Sequence, residues 1–247
     1  MVFKNRRALS SLFIVLLVVG VVLVVVGSVF VFLWVVPGNQ RTETLDFSGF
    51  SSVEVSSAFQ VTIAQSSSYS VKVSAGERVF DRIEVTQEGQ TLKIGVTPGV
   101  FFGVFNCKAE ITMPNLDSLA FSGASSGTAD GFSSSNQFNA QVSGASALEL
   151  KSFNVGNVNF EVSGASHLTG QGTGSNLTCA VSGASNLDLT NFSVNDANVD
   201  LSGASHATVK LDGRLDAQAS GASSLEYIGE PTLGTINTSG LSEVKKK

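Results

Sequence analysis

From Phe138 to Leu211 the chain alternates apolar and polar residues on both sides of a recurring tetrapeptide, Ser-Gly-Ala-Ser. Before the tetrapeptide come Phe138/Ala140/Val142, Val158/Phe160/Val162, Leu177/Cys179/Val181 and Ala197/Val199/Leu201. After it come Leu148/Leu150, Leu187/Leu189 and Val209/Leu211. A period of two buries every second side chain, the mark of a strand with one buried face. The tetrapeptide begins at Ser122, Ser143, Ser163, Ser182, Ser202 and Ser220, with a Ser-Gly-Leu-Ser variant at Ser239; the steps are 21, 20, 19, 20, 18 and 19 residues. Near-constant spacing predicts a repeat array. Each repeat reads as strand, corner, strand and polar return, which is one rung of a β-solenoid with rungs stacked roughly 4.8 Å apart. The expected fold is all-β: a single-domain, β-helix-like solenoid of ~20-residue rungs.

The corner has a physical rationale. Glycine permits a sharp turn with positive φ. Alanine is expected inside, where rungs crowd together. Serines stacked on neighbouring rungs can bond to one another and to corner backbone groups. A serine nucleophile is not indicated, because the copies are equivalent and no G-x-S-x-G elbow flanks them. A longer period lies beneath the first. Residues 148–162 and 187–201 align without a gap at an offset of 39, matching Phe153 to Phe192 and Val155 to Val194. Alternate rungs are therefore expected to be of two types, with Phe153 and Phe192 closing one corner of the core on every second rung.

Residues 41–117 carry less regular strand signals: Val53-Glu-Val, Phe59-Gln-Val-Thr-Ile, Tyr69-Ser-Val-Lys-Val, Ile83-Glu-Val, Thr91-Leu-Lys-Ile and Ala109-Glu-Ile-Thr-Met. They are expected to form the first rungs and to cover the open end of the solenoid, which is otherwise a bare sheet edge.

A different pattern precedes them. Leu12–Val36 is apolar apart from Gly20, Gly27 and Ser28. As a helix it would span about 37 Å, enough to cross a hydrocarbon core of roughly 30 Å. The run is longer than a signal-peptide core and lacks an A-x-A cleavage site, so a retained anchor is expected. Lys4, Arg6 and Arg7 precede it, and no acidic residue occurs before Glu43, which places the N-terminus in the cytoplasm and everything after the span outside. The expected organisation is a cytoplasmic tail (1–11), a transmembrane helix (12–36), a linker (37–44), the solenoid (45–244) and a solvated lysine tail (245–247). Within the solenoid, residues 45–117 are the irregular rungs and 118–244 the repeats.

Composition narrows the chemistry. Charged residues are only 14% of the chain, and the net charge is −5. Beyond Val36 the body has 12 basic and 20 acidic residues, without a basic patch, which excludes nucleic acid as an expected partner. Cys107 and Cys179 are too few for a disulfide framework, and they fall about three rungs apart in the expected stack, too far to pair. Cys179 alternates in phase with Leu177 and Val181 and reads as a buried thiol. His167 and His206 each follow a Ser-Gly-Ala-Ser, two rungs or roughly 9.6 Å apart with Asn186 between, too far to share a metal. Asp188, Asp196, Asp200, Asp212 and Asp216 are scattered, with no pair set for acid/base work. No catalytic, cofactor or metal site is expected. Three sequons, at Asn176, Asn191 and Asn237, are candidate glycosylation sites on an exported domain.

Read together, Phe50-Ser-Ser-Val-Glu-Val, Phe59-Gln-Val-Thr-Ile, Thr91-Leu-Lys-Ile, Ile111-Thr-Met-Pro-Asn-Leu, the serial Ser-Gly-Ala-Ser copies and Leu225-Glu-Tyr-Ile-Gly-Glu-Pro resemble the auto-transporter adhesin head GIN domain family. The resemblance covers about Leu45 to Val244. It implies an exported β-solenoid of a bacterial or archaeal envelope and supplies no catalytic residues. Many such domains resemble lipoproteins with a cysteine at the membrane; this chain departs by its apolar run. The function expected is a membrane-anchored, outward-facing, non-enzymatic module for adhesion or envelope interaction, whose partner is an envelope polysaccharide or a surface protein. The alternative is an envelope-stress sensor or regulatory ectodomain acting through a protein partner.

Overall fold

The computed structural model describes residues 39–97 and 106–247. The predicted span 12–36 and tail 1–11 lie outside the described residues, among which no helix is long and apolar enough to cross a membrane. From Gln40 onward the described residues belong to one compact unit.

Seven strands and one helical turn precede the repeats: β1 (Gln40–Leu45), β2 (Ser52–Val55), β3 (Gln60–Gln65), β4 (Ser70–Gly76), α1 (Glu77–Phe80), β5 (Ile83–Glu88), β6 (Thr91–Val96) and β7 (Lys108–Met113). The repeats supply strands in pairs, one on each side of a corner. They are β8 (Ser118–Phe121) and β9 (Ser126–Asp130), β10 (Phe138–Val142) and β11 (Ala147–Asn154), β12 (Val158–Val162) and β13 (His167–Thr173), and β14 (Asn176–Val181) and β15 (Asn186–Val194). The remaining pairs are β16 (Asp196–Leu201) and β17 (His206–Leu211), β18 (Arg214–Ala219) and β19 (Ser224–Ile228), and β20 (Thr232–Thr238) and β21 (Glu243–Lys246).

Strands after the corners stack into an eleven-stranded sheet, β1-β4-β7-β3-β9-β11-β13-β15-β17-β19-β21. Strands before them stack into a ten-stranded sheet, β20-β18-β16-β14-β12-β10-β8-β2-β6-β5. Within the repeats every pairing is parallel, so equivalent residues stack in rows. Phe121, Val142, Val162, Val181, Leu201 and Ala219 form one buried row, and Leu148, Leu168, Leu187, Ala207 and Leu225 another. These rows face each other across the solenoid and make its core. The expected solenoid of strand–corner–strand rungs is what the chain forms.

The corners are built differently from the expectation in one respect. Alanine is exposed at each Ser-Gly-Ala-Ser, and the second serine is the residue that turns inward. The backbone explains it: the corner continues the ladder along the solenoid axis. Ala165, Ala184, Ala204 and Ala222 N–H groups donate to the carbonyls of Gly144, Gly164, Gly183 and Gly203, all at 2.8 Å. That geometry points the alanine Cβ away from the core, so alanine is tolerated there rather than required. Glycine is required twice over. Gly183 has φ +77°, and a Cβ on it would lie 2.4 Å from the Gly164 carbonyl oxygen.

The longer period is also explained. Phe153 and Phe192 sit out of phase with the leucines before them, yet both are buried. The ladders shift register between Leu150 and Phe153 and between Asp188 and Ser193, a bulge that returns each phenyl ring to the core. Between them in the stack lies Gly172, paired with both phenylalanines. A Cβ on nearby Gly170 would meet the Leu189 and Phe192 side chains at 2.7 and 3.3 Å. The glycine-rich intermediate rung thus leaves room for the ring of its neighbour. The rings join a file of tilted contacts, with Phe138–Phe153 at 5.0 Å and Phe160–Phe192 at 6.1 Å between centroids.

The stacking order at the N-terminal end departs from chain order. β2 and β3 form a full rung that lies directly against β8 and β9, while β6 and β7 stack beneath it. Antiparallel β4 and β1 extend one sheet and antiparallel β5 the other. The cover over this end is therefore made by residues inserted after the first rung, together with β1. Two boundaries shift as well. Strand structure begins at Gln40, inside the expected 37–44 linker, because β1 pairs with β4 from Gln40 to Leu45. Lys245 and Lys246 belong to β21 instead of a free tail, and Lys247 N–H donates to the Tyr227 carbonyl.

Candidate functional site

The buried serines are structural. Ser146, Ser166 and Ser185 Oγ accept from the backbone N–H of the serine one rung earlier, Ser125, Ser146 and Ser166, at 3.2–3.3 Å. Ser125 and Ser223 hydroxyls donate to the Ser122 and Ser220 carbonyls within their own corners. The inward backbone N–H groups of Ser125, Ser146 and Ser166 would otherwise be orphaned, and the serine supplies their acceptor, while Ser205 Oγ instead donates to the Val181 carbonyl at 3.1 Å. The aspartates are absorbed in the same way. Asp196 Oδ1 accepts from Arg214 N–H at 2.7 Å, Asp212 Oδ1 from Glu230 N–H at 3.2 Å, and Asp216 Oδ1 from Thr235 N–H at 2.6 Å. Asp188 Oδ1 accepts from Thr190 N–H at 3.0 Å. Asp216 is also clasped by the Arg214 guanidinium, which with the Thr235 N–H holds its carboxyl down to about 2.

The thiols are buried and unpaired with each other. Cys107 enters β7, and Cys179 lies in β14. The reordered N-terminal rungs put them five steps apart, not three, or roughly 24 Å along the stack. Burial, with a contribution from the Asp200 carboxylate, pushes the Cys179 thiol up to about 12, which disfavours the thiolate.

What remains available for binding is the pair of outward faces. On the eleven-stranded sheet, two rows run parallel to the solenoid axis. One passes through Ser126, Ala147, His167, Asn186 and His206, the other through Thr128, Glu149, Thr169 and Asp188 and ends at Thr208, which is buried. His167 shares its ring nitrogens with Thr169 Oγ1 at 2.7 Å and Asn186 Nδ2 at 3.1 Å. Asn186 separates the two histidines by one strand on each side, and among the described residues no group of acidic, histidine or cysteine side chains could hold a metal ion. Where the rows reach β9, beside β3, the outward side chains become small, Ser126 and Thr128, while between them Gly127 faces inward, where the Phe121 ring lies 2.4 Å from the position a Cβ would take. The result is a shallow depression of about 420 Å³ floored by Ser126, Gly127 and Thr128 and walled by Gln60 and Thr62 on one side and Glu149 and His167 on the other.

The ten-stranded sheet carries a second polar face, with Asn139, Asn159, Thr178 and Asn198 in one row and Gln141, Glu161, Ala180 and Asp200 in the next. A depression of about 270 Å³ lies over Thr178 and Ala180. The candidate glycosylation positions are all exposed. Asn176 starts β14 and donates to Asn157 Oδ1 at 3.3 Å, Asn191 sits in the bulged part of β15, and Asn237 lies in β20.

The depression beside β3 is the feature the sequence reading missed. Its walls come from residues more than sixty positions apart in the chain, brought together because the β2–β3 rung stacks on β8–β9. One signal was available: Val53-Glu-Val and Phe59-Gln-Val-Thr-Ile flank Ser56-Ser57-Ala58, a strand–corner–strand rung without its glycine. Ser57 and Ala58 adopt the positive φ that glycine takes elsewhere, 63° and 59°.

The model of the family described as "Putative auto-transporter adhesin, head GIN domain" matches residues 49–231. The chain belongs to this family. Among proteins of curated function none matches the sequence. Among solved structures, a "putative adhesin" from Bacteroides fragilis superposes with a TM-score of 0.80 at 19% identity, covering 85% of this chain and 99% of that one. A "putative lipid binding protein" from Parabacteroides distasonis gives 0.63 at 19% identity, covering 85% and 97%. A "putative adhesin" from the same species gives 0.61 at 13%, covering 85% and 98%. At these identities the neighbours establish a shared head GIN solenoid fold, and their names describe those proteins.

Proposed function

We propose that this chain is a membrane-anchored surface module that displays its solenoid outward and binds envelope polysaccharide without catalysis. The observation that carries the reading is the in-register repetition of hydroxyl, amide and imidazole side chains along the outer face of the eleven-stranded sheet, ending in the depression beside β3. A polymer with a repeating unit can meet polar groups at a constant spacing on successive rungs, so weak contacts add by multivalency. Hydroxyl and amide groups suit sugar hydroxyls, because each can donate or accept. Family membership supports adhesion as the role, and the apolar run 12–36 behind Lys4, Arg6 and Arg7 supports outward display. Asp188, Asp196, Asp212 and Asp216 are engaged with backbone N–H groups, which supports a binding role.

The test is binding of the detergent-solubilised full chain to isolated cell envelopes and to a panel of purified envelope polysaccharides. Thr128→Trp fills the depression from an exposed-face position, and Asn198→Trp alters the opposite face as a control. The expected result is saturable polysaccharide binding weakened about tenfold or more by Thr128→Trp, a loss of about 1.4 kcal/mol, and little changed by Asn198→Trp. Binding to no polysaccharide, or equal sensitivity to both substitutions, would refute the reading. Binding that vanishes on proteolysis of the envelopes would point to a surface protein as the partner.

A further inference from the structure

The two ends of the solenoid are not alike. At the N-terminal end, antiparallel β1 and β5 lie at the sheet edges. Arg41 there pairs with Glu43 and Asp81 and lies over the Phe80 ring at 4.3 Å. The edge strands at that end run antiparallel to their neighbours and carry charged side chains, features that discourage further pairing. At the other end β20 and β21 are each hydrogen-bonded on one side, to β18 and β19, and have no partner strand on the other among the described residues.

This edge is also where apolar side chains surface. Leu241 and Leu233 are the exposed large hydrophobic residues among the described residues, at 88% and 51%. Ile236 and Val244 beside them are only partly buried. Leu241 occupies the corner position that is alanine in the six preceding copies, so a small exposed residue is replaced by a large one at the terminal corner alone. Lysines on an edge strand normally discourage pairing. Here they are neutralised within the edge: Lys245 by Glu243 at 2.7 Å, Lys247 by Glu226 at 3.2 Å, and Lys246 by Glu230.

We infer that this edge is a self-recognition surface that pairs tail to tail with a second copy of the chain. A two-fold axis normal to the sheets carries β20 onto β20 and β21 onto β21 of the second copy, each antiparallel. The backbone of β21 fits that operation. Glu243 and Lys247 N–H groups donate inward, to Ser223 at 3.1 Å and Tyr227 at 2.9 Å. By strand alternation Val244 and Lys246 present their N–H and carbonyl groups to the open side. An axis through Val244 makes Val244 the hydrogen-bonded pair and sets Glu243 opposite Lys245 of the second copy on the same face, twice by symmetry. The segment Glu243-Val244-Lys245 is thus self-complementary in charge, in apolar contact and in hydrogen bonding. The pairing is closed, because it uses up the open edge of both copies and yields a dimer, not a fibre. Its use as a contact between two cells rests on the outward display proposed above, since the edge is the end of the solenoid farthest in the stack from β1, the strand that follows the apolar run in sequence.

The test is sedimentation of the full chain in detergent micelles across a concentration series. The expected result is a reversible dimer. Leu241→Lys and Glu243→Lys each weaken it about tenfold, the second by placing like charges opposite each other in two pairs. Glu243→Lys combined with Lys245→Glu restores it. Far-UV circular dichroism of each variant controls for folding, and Leu241→Lys changes a side chain that touches little else. A monomer at every concentration, or a dimer indifferent to Leu241→Lys and Glu243→Lys, would overturn the inference. Dimerisation that follows the charge swap supports it whether or not the chain binds polysaccharide, so the two readings fail separately.

Discussion

At the corner, two residues of small size carry unequal burdens. The second serine of Ser-Gly-Ala-Ser is almost wholly buried, and at Ser146, Ser166 and Ser185 its hydroxyl is the acceptor for an inward backbone N–H one rung earlier. Ser185→Ala removes the acceptor for the Ser166 N–H without removing the donor, and an orphaned buried donor costs about 1–3 kcal/mol. Ala184→Ser, one position earlier and outside, is expected to change stability by less than about 0.5 kcal/mol. Chemical denaturation of the two variants checks the contrast; equal effects would mean that the serine ladder does not contribute. Among the charged residues, Asp216 carries a testable pH signature. Its carboxyl is held from the ordinary 3.8 down to about 2 by the Arg214 guanidinium and the Thr235 N–H. A depressed folded-state value stabilises the fold above the unfolded value, and that stabilisation disappears as pH falls from about 4 to about 2. Asp216→Asn is expected to lower stability at pH 7 and to leave it nearly unchanged at pH 2, measured by urea unfolding at both. The group is exposed, so the effect is expected to be small and to shrink with added salt.

At the level of the strand, hydrophobic alternation predicts which residues are buried but not how a strand tolerates a break in phase. β11 and β15 each carry an extra residue before Phe153 and Phe192, and the bulge returns the ring to the core. The intermediate strand β13 answers with Gly170 and Gly172, where side chains would collide with Phe192 and with the Phe153 backbone. Large and small residues therefore alternate along the stack, and the 39-residue period in the sequence is the signature of that packing. Phe192→Ala is expected to cost about 3–5 kcal/mol, because the glycine-walled space beside it cannot collapse. Gly170→Ala, which adds volume where Phe192 already sits, is expected to destabilise as well, by about 1–3 kcal/mol. If the double variant, Phe192→Ala with Gly170→Ala, costs less than the sum of the singles, the two positions share one space. Additive effects in the double-mutant cycle would refute the shared packing.

Taken whole, the molecule is a stack in which each rung contacts only its neighbours, with one continuous core. Cys179 lies near the middle of that stack and reports on its opening. Its thiol, raised to about 12 by burial, and the buried Cys107 thiol are expected to resist a thiol reagent at pH 8. Both should label together as the fold is lost in denaturant. Labelling of Cys107 well before Cys179 would instead show that the N-terminal rungs open as a separate unit.

The sequence by itself determined the rung. Alternation, the spacing of the Ser-Gly-Ala-Ser copies and the positive φ that glycine allows are local properties, so the strand–corner–strand repeat and its in-register stacking could be read directly. The head GIN resemblance rests on the same local motifs. Three things were decided only by tertiary structure. Alternation says that a side chain is buried but not against which strand, so nothing local revealed that β2 and β3 lie against β8 and β9, or that Gln60 and Thr62 wall a depression with Glu149 and His167. The inward turn of serine in place of alanine follows from hydrogen bonds between rungs, which a single rung cannot display. The lysines at 245–247 look solvated in sequence and become an edge strand because Glu226, Glu230 and Glu243 are brought beside them. In each case the deciding interaction joins residues distant in the chain, and a local pattern carries no record of its partner.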